Sequence, residues 1–331
     1  MFRFLSMFMI VYSSFSYASS TLSESDNFLY LKAKILYGQN RYLESRSVLE
    51  KITDNQNANV AYLHASTYSE GKDSYFNYYD KLIHAANLGS LWAMRLLVIN
   101  EGAIIYENSE HLKENLIDFL TNRDNTNNGQ ALSLMASIDS NTFSDFIFWT
   151  KKAADKGYAP SQYHLAKYYR SGEGFFFFES NRKKEIDQLF ASSAKSGYHD
   201  ALRAVAFTHI RNNETSKGLE ILNKLIIKGD AATILILAHA YKNGDTNLGI
   251  DLNKSFYYLY IYINSTSNEF YSPYLNLAME SMEDKITEEV QKKETNKATI
   301  FLDEHDVYEQ MGIDEYEYTV DQAIASQLLQ N

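Results

Sequence analysis

The sequence predicts an all-α fold, a solenoid of stacked helical hairpins, on three observations. A phrase of about sixteen residues recurs in one register. The apolar residues within it fall three and four apart, as on one face of a helix. The 331 residues hold 2 prolines and 14 glycines, with several glycines standing at the ends of the repeated phrase. With 45% apolar residues the chain has ample material for a core.

Counted from Gly157, "GYAPSQYHLAKYYRSG" places Tyr163, Leu165, Ala166, Tyr169 and Gly172 at offsets 6, 8, 9, 12 and 15. Counted from Gly229, the same offsets hold Leu235, Leu237, Ala238, Tyr241 and Gly244, and from Gln56 they hold Tyr62, His64, Ala65, Tyr68 and Gly71. Looser copies start at Gly89, Gly129 and Gly197, so the six starts are separated by 33, 40, 28, 40 and 32 residues, one helical hairpin each. A second phrase precedes several starts, with adjacent small residues Ala85-Ala86, Ala153-Ala154 and Ser193-Ala194 just ahead of Gly89, Gly157 and Gly197.

This spacing lays Tyr, Leu and Ala of the first helix of each unit along one stripe, with small residues where two helices approach closely. The glycine after the small pair sits where a helix end requires positive φ, and the glycine fifteen residues on ends the next helix in the same way. One hairpin cannot bury its apolar face alone. Neighbours must stack, and the array becomes quasi-one-dimensional.

"KKAADKGYAPSQYHLAKYYRSGEG", Lys151 to Gly174, resembles the Sel-one-like repeat, a relative of the tetratricopeptide repeat, with Ala166 where that family often has glycine and Ser161 where it has alanine. "GIDLNKSFYYLY", Gly249 to Tyr260, is similar to the run that leads into the family's second helix. The resemblance covers about residues 56–262, and "FLYLKAKILYGQNRYLESRSVLEKI", Phe28 to Ile52, looks more like a plain tetratricopeptide hairpin with its turn at Gly38. It implies a right-handed α/α solenoid. It also implies a protein or peptide partner on the concave face, as exported bacterial members commonly act as adaptors or regulators of envelope complexes.

The expected organisation is a signal peptide at 1–18, a tetratricopeptide-like hairpin at 19–55, the repeat solenoid at 56–282 and an acidic C-terminal segment at 283–331. Arg3, an apolar run from Phe4 to Val11, and Ser16 and Ala18 at the −3 and −1 places mark an exported chain cleaved after Ala18. That run is shorter than the roughly 20 residues that span a bilayer, so no anchor is expected after cleavage. The chain has no cysteine, which excludes disulfides, thiolate metal sites and cysteine nucleophiles and suits a bacterial periplasm, with secretion as the alternative. Of the net charge of −11, −10 lies between Glu280 and Asn331, leaving a nearly neutral body without the basic stripe a nucleic acid requires. The acidic segment ends in "TVDQAIASQLLQN", whose Val320, Ile324 and Leu328 have helical spacing and read as a capping helix or a mobile tail.

Chemistry-bearing motifs are few. No Walker loop, G-x-S-x-G, H-E-x-x-H or strand-borne G-x-G-x-x-G occurs, so neither an enzyme nor a cofactor site is expected. An envelope enzyme acting on peptidoglycan or a β-lactam is the contrasting reading, without a Ser-x-x-Lys nucleophile to carry it. An accessory subunit of a secretion or exopolysaccharide assembly is a further one. "DEHD", Asp303 to Asp306, reads as a solvated acidic face ahead of a cation site. His64 stands at the Leu place of the repeat and His209 at the core Tyr place, where packing with a satisfied ring nitrogen is expected.

The conspicuous stretch is "GEGFFFFES", Gly172 to Ser180. One apolar residue after the turn should plug the gap between the two helices, and Phe175 is placed to do so. Phe176, Phe177 and Phe178 are then surplus, either folded back over the hairpin or presented to a partner. With the first-helix positions His164, Lys167 and Tyr168, expected to be exposed, they are the candidate partner-binding residues. The 26 tyrosines add contact area suited to protein binding, or reflect a coding bias; Tyr78, Tyr79, Tyr168, Tyr257 and Tyr258 fall outside the core pattern.

Overall fold

The structure, a computed structural model, describes residues 22–69, 75–99, 109–122, 125–140, 142–244, 247–266 and 272–309. The expected signal peptide, Gly71 and the helix expected within 319–331 lie outside these residues. Seven consecutive hairpins come first: α1 Glu24–Gly38 with α2 Tyr42–Leu49, α3 Ala58–Ser69 with α4 Tyr75–Asn87, α5 Leu91–Ile99 with α6 Ser109–Thr121, and α7 Gly129–Ile138 with α8 Phe143–Asp155. They continue as α9 Ala159–Arg170 with α10 Glu179–Lys195, α11 His199–Arg211 with α12 Thr215–Ile227, and α13 Ala231–Asn243 with α14 Leu252–Ser265. Two further helices, α15 Ser272–Glu283 and α16 Glu288–Glu304, both pack on α14. The second helix of every hairpin but the last packs on the first helix of the next, so the hairpins form one stack. Among the described residues there is no strand; an isolated bridge joins Asp230 and Tyr308.

The corners between hairpins repeat in detail. Gly89, Gly157, Gly197 and Gly229 all have φ between +78° and +104°. At each, the glycine N–H donates to the carbonyl three residues back and the next N–H to the carbonyl five residues back, as in Gly157 to Ala154 (2.9 Å) and Tyr158 to Ala153 (3.1 Å). This left-handed cap satisfies carbonyls that the helix end leaves open, and only glycine adopts it without a Cβ penalty. Gly157 and Gly229 thus occupy matching corners, as the repeat requires.

The stripe read from the sequence is the core. Leu165, Leu237, Ala65, Ala166 and Ala238 are buried, and so are Tyr169 and Tyr241. Where the two helices of a hairpin cross, small residues meet, and two of these seams carry the same bond. The Ser45 hydroxyl donates to the Ala33 carbonyl (2.8 Å), and Ser255 to Ala238 (2.7 Å). At the opposite end of the fifth hairpin Ser193, one of the small pair ahead of Gly197, donates instead to the Ala159 carbonyl at the start of α9 (2.7 Å). In the sixth hairpin the place of Ser45 and Ser255 is taken by Gly218, where an added Cβ would lie 2.5 Å from the Ala206 carbonyl oxygen.

Several expectations need correction. The turn of the first hairpin is made by Asn40, with φ +60°, while Gly38 is the last residue of α1. The tyrosines placed outside the core pattern belong to the packing: Tyr79 is buried, Tyr78, Tyr257 and Tyr258 pack against core clusters, and Tyr168 is half-buried. The ring of His209 is held by Glu214, so its ring nitrogen is satisfied as expected, but at a partly exposed place outside the core. His64 differs: its Nε2 is buried without a hydrogen-bond partner. Burial, and after it the positive charge of Lys81, pushes its imidazole down to about 4, so it packs as a neutral ring at the Leu place.

Two outcomes follow from this packing. Gly218→Ala, which in an open helix would stabilise by about 1 kcal/mol, should instead destabilise by roughly 1–3 kcal/mol through collision with the Ala206 carbonyl, read as a lower urea midpoint at unchanged slope. The depressed His64 value means that the unfolded chain binds the proton more readily, so stability present above the ordinary 6.5 is lost as pH falls from there toward about 4. His64→Leu should flatten that part of the stability–pH profile, measured by urea unfolding across the interval.

Candidate functional site

The fourth-hairpin-to-fifth-hairpin region collects the exposed aromatics. The turn after α9 follows the corner rule once more: Gly172 has φ +99°, its N–H donates to the Tyr169 carbonyl (3.2 Å), and the Glu173 N–H donates to the Tyr168 carbonyl (3.0 Å). Gly174, also at positive φ, passes so close to the Tyr169 ring that a Cβ there would lie 2.9 Å from it. The chain then enters α10 through bends at Phe177 and Phe178.

One phenylalanine of the four is the plug. Phe176 turns inward, 5.0 Å from the Tyr169 ring centroid in edge-to-face contact, and packs with Leu165, Ile186 and Leu189. Phe175, assigned the plug from the sequence, is 81% exposed, and Phe177 and Phe178 are 84% and 67% exposed. The correction is one of place: after the two glycines of the turn the inward ring falls at 176, one residue later than the sequence suggested.

Arg182 clamps this loop. It donates through Nη1 to the carbonyls of Tyr169 (3.0 Å) and Glu173 (2.7 Å), and through Nη2 to that of Gly174 (3.2 Å). Its Cζ lies 4.9 Å from the Phe176 ring centroid, and its Nε pairs with Glu179 (3.3 Å). A guanidinium spends its fixed fork of donors on three turn carbonyls, which orders a loop that has little side-chain packing of its own. Phe175 and Phe177, their ring centroids 5.0 Å apart, are therefore held out together on an ordered support.

Of the first-helix candidates, Lys167 alone is exposed. His164 is half-buried beside Tyr163, and burial, followed by the nearby Lys167, lowers its pKa. Tyr168 packs edge-to-face between Phe143 (5.6 Å) and Phe146 (5.5 Å) at the start of α8. Phe143, on the preceding hairpin, is itself half exposed. The sequence reading missed Phe143; a signal existed in the "FSDFIF" spacing, but nothing local ties residue 143 to residue 168.

The densest charge cluster lies elsewhere. Asp230, the buried N-cap of α13, accepts from the Thr233 N–H (2.7 Å) and from Arg203 Nη1 (2.7 and 2.8 Å to its two oxygens), and its Oδ2 lies 2.6 Å from His199 Nδ1. Arg203 also pairs with Asp200. Burial works most strongly against the charge on Asp230, yet the His199 bond, the Arg203 guanidinium and the Thr233 donors together hold its carboxyl below the usual range. All its acceptor capacity is spent on holding α11 to the start of α13. Among the described residues, no group of three His, Asp or Glu is gathered as a metal would need, the Asp303 to Asp306 run included. No described helix is long and apolar enough to cross a membrane.

No protein-family model matches the chain, and no curated protein matches it. Among solved structures, the chain is similar to a protective antigen present in uropathogenic Escherichia coli strains and displaying an SLR fold, with a TM-score of 0.44 and 14% identity over 92% of this chain. The chain spans 63% of that antigen's length. It is also similar to a Sel1 repeat protein from Oxalobacter formigenes, with a TM-score of 0.38 and 16% identity over 68% of this chain and 95% of that one. The fold itself stands on the matching corners and seams: the chain is a stack of helical hairpins in one repeating register.

Proposed function

We propose that the chain is a non-enzymatic interaction scaffold, an adaptor or regulator in a bacterial cell envelope, that binds a protein or peptide partner. The observation that carries the reading is the clamped aromatic loop. Each phenylalanine left in water forgoes about 1.5–3 kcal/mol of burial, a cost that a partner with an apolar pocket recovers. Because Arg182 already orders the loop, little conformational entropy remains to be lost on binding. The half-exposed Phe143 widens the same contact, and Lys167 supplies a charge beside it on the wall formed by the first helices.

The test separates contact from stability. Changing Phe175, Phe177 and Phe178 together to serine should leave the urea midpoint nearly unchanged, because these rings pack little against the body, and should abolish the products captured by a photo-crosslinker at Lys167 in living cells. Phe176→Ala should do the reverse, lowering stability by about 1–3 kcal/mol through loss of the plug while the crosslinked products persist. Unaltered products from the triple variant would end the proposal for this loop.

A further inference from the structure

Beyond α16, which starts from the Thr287 N-cap and ends at His305, the chain turns extended and crosses two turns that belong to opposite ends of the sequence. At the start of α13 it pairs as a strand does: the Tyr308 N–H donates to the Gly229 carbonyl (3.0 Å), and the Ala231 N–H donates to the Tyr308 carbonyl (3.1 Å). Val307, 1% exposed, joins the apolar cluster of α13 and α14. At the first hairpin, the Glu309 N–H donates to the Gly38 carbonyl (2.7 Å), and Gln39 Nε2 donates to the Val307 carbonyl (3.0 Å) across 268 residues of sequence. The Tyr262 hydroxyl of α14 donates to the Glu309 carboxylate (2.8 Å).

Both seats lack a side chain where the segment lies on them. A Cβ at Gly229 would fall 1.9 Å from the Asp306 carbonyl oxygen, but its positive φ requires glycine for the corner alone. Gly38 has no such requirement, since Asn40 takes the left-handed place in that turn. A Cβ at Gly38 would lie 2.6 Å from the Glu309 carbonyl oxygen and 3.0 Å from the Tyr308 ring. The bare position at the end of α1 is therefore explained by what crosses it.

We propose that residues 305–309 are a latch that closes the stack on itself, an extended peptide segment tying the turn of the first hairpin to the start of the seventh. The bonds divide the latch into two seats. One, at Gly229 and Ala231, belongs to the hairpin beside α16; the other, at Gly38 and Gln39, joins the two ends of the array. The latch is independent of any partner at the aromatic loop.

Hydrogen exchange on the full chain tests it. The amides of Tyr308 and Glu309 should exchange at least about tenfold more slowly than in an unprotected chain, at every protein concentration. Gly38→Leu keeps a good helix former at the end of α1 and drives a side chain into the Glu309 carbonyl, so the Glu309 amide should return toward the unprotected rate while the Ala231 amide keeps more of its protection. Gln39→Ala, which deletes one bond and adds no bulk, should raise exchange at residue 309 less, and it serves should Gly38→Leu fail to fold, as judged by protection in α9. Fast exchange at 308 and 309 in the unmodified chain, or equal protection in all three proteins, overturns the latch. Protection that grows with concentration overturns it as well, because the segment of a second copy then fills the seat.

Discussion

The structure depends on one constraint, met at four of the six corners between hairpins: the backbone passes through positive φ while two amides fold back on the helix just ended. Gly89, Gly157, Gly197 and Gly229 meet it with the same pair of bonds. A fixed corner fixes the exit angle of the next helix, and a repeated exit angle makes a stack instead of a globule. The seams then need small residues, because the corner brings the crossing helices close. Ser45, Ser193 and Ser255 spend a hydroxyl there on a helix carbonyl, whereas Gly218 leaves the space bare.

What was legible in the sequence is what this constraint dictates. A glycine that recurs after a small pair has few physical reasons to exist, so its conformation could be read before the structure. The hidden features depend on phase or on distance. Phe175 and Phe176 are equivalent in composition, and only the path through Gly172 and Gly174 decides which ring turns inward. Tyr168 looked exposed along its own helix because its cover, Phe143 and Phe146, comes from the preceding hairpin. His64 and His209 occupy core places in the same pattern, yet Glu214 reaches one ring, while burial leaves the other neutral with a buried nitrogen. Contact between residues 38 and 309 has no local signature beyond a helical glycine with no turn to make.

Most of the polar chemistry is consumed by architecture. Asp230 sits beside an imidazole and a guanidinium, a grouping that in an open cleft would suggest acid–base work. Here its oxygens accept from the Thr233 amide and from Arg203 and are closed in by His199, so no acceptor remains for a substrate proton. Arg182 is spent in the same way on turn carbonyls. The aromatic edge is the contrast: a loop whose turn carbonyls are tied to Arg182 and whose Phe175, Phe177 and Phe178 rings stand largely in water. Order in the support and bareness in the side chains is the combination that binding favours, since the entropy of holding the rings in place is lost on folding and not at the encounter.

A one-dimensional stack has a weakness at its ends, because the terminal unit has one neighbour where every other has two. The first hairpin shows this: its cluster, built from Tyr30, Ala33, Leu36, Val48, Leu49 and Ile52, extends only to Val60 and Leu63 of the next unit. At the other end, α15 and α16 both cover α14, leaving the segment beyond α16 free to run back across the start of α13. Joining that segment to the Gly38 carbonyl gives the first hairpin a second neighbour from the far end of the sequence. Fraying at either end must then break contacts at both, which turns two local openings into a single cooperative one.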